Sequence, residues 1–147
     1  MLVLLQLESR QLSSGWKNEA INPKNINPKN YPHRERLIEL LKEKSYEIKE
    51  IKEKIPLSES KKLIQEADLI VCIDSYLQHL CWYVGKQAIV IWGISDPEIF
   101  GHSTNINILK DRSYLRKDQM LRWEQAPYVP ESFSPPEDIM KEIEKMV

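Results

Sequence analysis

The run DLIVCID, residues 68–74, followed by Ser75-Tyr76-Leu77-Gln78-His79, decides the fold. Leu69 to Ile73 carry no polar break, the pattern of a strand covered on both faces within a parallel sheet. Asp74 and Ser75 end that run, and Leu77, Leu80, Cys81 and Val84 then recur at the spacing of one helix face until Gly85 stops it. A buried strand that turns directly into a helix is one half of a βαβ unit.

The same alternation extends in both directions. Downstream, QAIVIW (87–92) is a second buried strand and INIL (106–109) a short further one. Residues 110–135, with Pro127, Pro130, Pro135 and Trp123, form an irregular segment before a closing helix at 136–146. Upstream, a helix is expected at 58–66 with Ser58 as its N-cap, a strand over 46–51, and a helix over 32–44 opened by Pro32. The apolar start extends to residue 7 and makes a first strand, 2–7; its Leu2 to Leu5 lack the basic flank and cleavage site of a signal peptide. The predicted fold class is therefore α/β: a single Rossmann-like domain over 1–147, its mainly parallel sheet flanked by helices.

Composition narrows the function. The 147 residues suit one domain, and a net charge of -1 without a long basic run argues against nucleic acid as partner. No stretch approaches the ~20 apolar residues of a membrane span. Cys72 and Cys81 make no metal motif and read as reduced core residues of a cytoplasmic protein, so no metal or bound cofactor is expected.

Ligands of such sheets bind beyond the carboxyl ends of the strands. The loops that leave those ends are 8–31, 52–57, 74–79 and 93–105. At Asp74-Ser75 the free N–H groups of a helix start make a natural anion cradle. Ser75 adds a hydroxyl, Asp74 an acceptor for sugar or ribose hydroxyls, and His79 lies one turn along. Simple helix capping and a half-buried histidine would explain the same residues. Gly93-Ile94-Ser95-Asp96-Pro97 follows a buried strand; its glycine permits close backbone approach, though an ordinary turn has the same composition. Ser13, Ser14, Gly15 and Lys17 in the long first loop suit phosphate, without forming a Walker loop or a G-x-G-x-x-G fingerprint. That loop also holds the tandem INPKN, 21–25 and 26–30, either a surface duplication or a flap over a site. The expected pocket is bounded by Ser13–Lys17, Asp74–His79 and Gly93–Pro97.

Taken together, residues 55–101 resemble the C-terminal, donor-binding domain of glycosyltransferase family nine, the heptosyltransferase-like enzymes. The similar features are the helix from Leu57-Ser58 to Ala67, the Asp74-Ser75 turn, His79 four residues beyond Ser75, Val84-Gly85-Lys86, the strand Ala88 to Trp92, and the loop Gly93 to Pro97. The resemblance implies one half of a two-domain GT-B glycosyltransferase that takes a nucleotide-sugar as substrate, with an ADP-sugar favoured. It implies that Asp74, Ser75 and Tyr76 meet the donor diphosphate and sugar, that His79 supports the turn or touches phosphate, and that Lys17 and Ser13 neutralise the diphosphate. Ile55 falls near the base, and Gly93, Ser95 and Pro97 supply nucleoside or loop contacts.

The sequence departs from the family at three points. Tyr76 stands where glycine is usual, only Lys52-Glu53-Lys54 follows strand two in place of a helix, and the ribose-binding glutamate has no counterpart. The acceptor domain that carries the catalytic base is expected to come from a partner chain or a second copy, and no catalytic residue is assigned here. A stand-alone nucleotide-binding module and a degenerate interaction scaffold remain the alternatives.

Overall fold

The computed structural model describes residues 1–9, 20–122 and 125–147. Five parallel strands, β1 (Leu2–Gln6), β2 (Glu47–Glu50), β3 (Leu69–Ile73), β4 (Ile89–Trp92) and β5 (Ile106–Leu109), form one sheet in the order β2-β1-β3-β4-β5. Helices α1 (Arg34–Glu43), α2 (Leu57–Glu66), α3 (Tyr76–Tyr83), the short α4 (Pro97–Phe100) and α5 (Pro136–Lys145) join or flank them. Each expected strand and long helix is present, most with ends drawn in by a residue or two, so the Rossmann-like α/β reading holds.

The sheet is the middle of three layers because its central strands alternate their apolar side chains between two faces. Leu69, Val71 and Ile73 join Leu37, Leu41, Ile139 and Ile143 of α1 and α5 on one side. Ile70 and Cys72 join Ile64, Leu77 and Cys81 of α2 and α3 on the other. All of β3 is buried, which is why its sequence has no polar position. Truncating a side chain such as Ile70 to alanine would cost about 2–5 kcal/mol. The edge strand β2, EIKE, instead alternates exposed and half-buried residues, and its charges discourage pairing with another sheet.

Several local readings are refined. Helix α2 begins at Leu57 with extended Pro56 in the cap position, so Ser58 lies inside the first turn and is not the N-cap. Proline's fixed φ and missing N–H suit the place where the chain enters the helix, so α2 starts earlier than a serine cap would allow. Pro32 sits just before α1 rather than within it. Gly85, with φ +75°, closes α3 in the left-handed conformation that glycine adopts without strain. Cys72 and Cys81 are buried free thiols, and burial pushes that of Cys81 up to about 12. Among the described residues no helix is long and apolar enough to cross a membrane.

The strand order sets the place of the site. From β1 the chain goes to the β2 edge and returns on the other side to β3, β4 and β5. The loops leaving β1 and β3 therefore diverge, and a crevice opens at their carboxyl ends.

Candidate functional site

Two neighbouring strand ends build this crevice. Gln6 ends β1 and Asp74-Ser75 follow β3; the register aligns Gln6 with Cys72, so the two ends lie side by side. The Ser75 hydroxyl donates to Gln6 Oε1 across the switch point. Ser75 occupies the N-cap position of α3, yet its side chain does not cap that helix. Its hydroxyl is drawn to β1 instead, and among the described residues no side chain accepts from the leading N–H groups of α3. Simple capping by Asp74 or Ser75 is therefore not what shapes this turn.

Asp74 is only 8% exposed. Gln78 Nε2 donates to its Oδ1 at 2.8 Å, and Lys29 Nζ lies 3.3 Å from its Oδ2. Lys29 comes from the second INPKN copy. Both copies fold alike: Asn25 N–H donates to Asn22 O at 3.1 Å, and Asn30 N–H to Asn27 O at 3.0 Å, each a turn with proline second. Asn30 Oδ1 accepts from Ser9 N–H at 2.7 Å, and Tyr31 N–H donates to Leu7 O at 2.9 Å, which binds the second turn to the end of β1. The duplication is thus no idle surface feature; its second copy lays a lysine over the expected site.

His79 Nδ1 lies 2.7 Å from His102 Nε2, and the His102 ring stacks on Trp82 with centroids 4.7 Å apart. Burial, and next the neighbouring His102, hold the His79 pKa below its ordinary 6.5; Asp74 acts the other way. One imidazole of the pair donates and the other accepts, so His79 is tied to the loop after α4.

The Gly93–Pro97 segment leaves β4 beside the Asp74 turn, and Gln78 Nε2 approaches Phe100 O at 3.4 Å across the two. Packing and capping account for much of it. A Cβ on Gly93 would fall 2.6 Å from the Phe133 ring, so packing against that ring already calls for a bare Cα. Ser95 is buried, and Pro97 opens α4 under an Asp96 cap whose carboxylate accepts from Glu98 N–H at 2.9 Å. Arg112 grips the same carboxylate at 2.7 Å and holds its pKa below the usual range. Tyr76 shares a hydrogen bond with Ser60 of α2 at 3.2 Å, and Ile55 packs half-buried against the α2–α3 side of the core.

Two of the three expected pocket walls are thus brought together, while Ser13, Ser14, Gly15 and Lys17 lie outside the described residues. A cleft of about 770 Å³ opens to one side, between the INPKN turns and the start of α1; Glu8, Lys24, Asn30, Arg34 and Tyr128 are among its lining, whereas Asp74, Ser75, His79, Ser95 and Pro97 are not. The reason is visible in the contacts: Lys29 covers Asp74, and the segment 111–121 lies over the end of β4. Arg116 N–H donates to Ile94 O at 3.0 Å, and Gln119 accepts from Asp96 N–H at 2.9 Å. Lys29, Arg116, Gln119 and Gln6 were not among the expected site residues. Only Lys29 had a signal, as a lysine in a proline turn repeated within a long loop.

No curated protein and no solved structure matches the chain. The model of glycosyltransferase family 9 (heptosyltransferase) matches residues 26–121, a span that contains Lys29, the Asp74–His79 turn and Arg116. With its parallel sheet, its switch point and a match over more than half its length, the chain belongs to glycosyltransferase family 9.

Proposed function

We propose that the chain binds a nucleotide-sugar at the carboxyl edge between β1, β3 and β4, and holds it chiefly by the diphosphate. The observation that carries this is the start of α3 at the switch point, which its own N-cap side chain leaves uncapped, with Lys29 seated beside it on Asp74. Backbone N–H groups at a helix start attract anions, and a lysine within reach adds charge where the leaving diphosphate would need it. Asp74 then positions Lys29 and Gln78, and its remaining acceptor capacity serves a sugar or ribose hydroxyl. His79, neutral near pH 7, can present a ring nitrogen to the same edge.

Transfer additionally requires an acceptor and a base. In this reading a partner domain or a second copy supplies them, as the GT-B arrangement implies, and the chain alone is a donor-binding half. The family description, heptosyltransferase, makes an ADP-activated heptose the first donor to test. The experiment is calorimetric titration with ADP, UDP and GDP: binding of at least one supports the reading, and none at millimolar concentration rejects it.

A further inference from the structure

We propose that Arg116 is a second cationic ligand of the donor diphosphate, reaching it from the β4 side opposite Lys29; this rests on the donor-binding reading above. Arg34, Arg36 and Arg112 each hold a carboxylate: Glu50 at 2.6 Å, Glu39 at 2.9 Å and Asp96 at 2.7 Å. Arg116 differs. Its Nη2 donates to Gln119 O at 3.1 Å and its Nη1 to Leu121 O, both neutral carbonyls. Its Nε–H is buried without an acceptor. Among the described residues no carboxylate lies within ion-pair distance of it.

A guanidinium keeps its charge in any protein environment, so partial burial here leaves a positive charge without a counter-ion. Burial works against that charge, and the acids whose fields offset it are Asp118 and Asp74. Its own N–H on Ile94 O puts Arg116 at the exit of β4, the strand that pairs with β3. An oxyanion on the guanidinium would supply the missing counter-charge.

The segment also holds Arg116 in place. Gln119 Nε2 donates to Ile94 O at 3.0 Å and Arg116 O at 2.8 Å, while its Oε1 accepts from Asp96 N–H at 2.9 Å. Every polar atom of that amide is used to fasten 116–119 to the exit of β4. A cation fixed before the ligand arrives needs little reorganisation when it binds. Lys29 thus approaches the crevice from the β1 side, on Asp74, and Arg116 from the exit of β4, on Ile94.

The test uses the full chain and calorimetric titration with ADP, UDP and GDP and the corresponding monophosphates, with melting curves alongside. For whichever diphosphate binds best, Arg116→Gln should weaken binding roughly 10- to 100-fold, the range for a lost charged hydrogen bond. The monophosphate should weaken much less, so the preference for diphosphate collapses, and Arg116→Lys should recover part of it. Should Arg116→Gln melt below the assay temperature, the same preference is read on Arg116→Lys, where a severalfold fall is expected. An unchanged preference in the variant that folds, or equal losses for both phosphates, overturns the assignment while the donor reading stands. No binding of any nucleotide by the wild type overturns both.

Discussion

Lys29 Nζ sits 3.3 Å from Asp74 Oδ2, so a turn that follows β1 by some twenty residues is joined to the residue that ends β3. The contact closes the crevice at the switch point with a charge a diphosphate could recruit. Replacing Lys29 with methionine should weaken nucleoside diphosphate binding by about 1.5–3 kcal/mol. The melting temperature should fall as well, since Asp74 is only 8% exposed and would lose its charge partner. Calorimetry and melting curves on one preparation separate the two roles; a loss of stability with unchanged affinity would make the pair purely structural.

Gly93 and Phe133 form a second dependent pair. Gly93→Ala would press a methyl group to 2.6 Å from the Phe133 ring. Overpacking of this kind costs about 1–3 kcal/mol, and Phe133→Leu should relieve part of it in the double variant. Denaturant unfolding of the four proteins in the cycle measures this directly. An additive double variant would show that the ring does not dictate glycine here.

The His79 pKa is lowered in the fold, with a definite consequence for pH dependence. Above its ordinary 6.5 the ring is neutral both folded and unfolded and adds no slope. Below 6.5 the unfolded chain takes up a proton that the folded ring resists, so stability falls as pH drops through that value toward the lower folded pKa. Melting temperatures from about pH 8 to pH 5 should decline at the acid end, and His79→Gln should flatten part of that decline. An identical acid slope in the variant would remove His79 as the cause.

The fold was legible because hydrophobic period reports burial directly. DLIVCID has the pattern expected of an interior strand, and its neighbours repeated the alternation around it. The Asp74–His79 turn was legible for the same reason, as the place where a buried strand becomes a helix. What could not be read were side-chain partners set by tertiary approach. Lys29 meets Asp74 across 45 positions, and Gln119 meets Ile94 across 25, from a segment without periodicity. Gly93 is ambiguous in kind: a missing side chain leaves space, and the sequence does not say whether a ligand or Phe133 meets it.

The isolated chain should transfer sugar poorly or not at all. Positioning an acceptor can be worth roughly 7–11 kcal/mol of barrier, and this reading assigns that task to another domain or a second copy. Radiolabelled donor incubated with a verified monomer, with and without candidate acceptors, measures the rate. Robust turnover by the monomer would show that the donor-half description is wrong.

The most direct test of the central claim is a map of where nucleotide binds. The chain, at 17.4 kDa, is small enough for amide-resolved nuclear magnetic resonance. On titration with ADP, UDP or GDP, the account predicts the largest shifts at residues 74–79, at Lys29 and at Ile94 to Asp96, with Arg116 among them. Shifts confined to the cleft beside α1, or none at millimolar nucleotide, would contradict it.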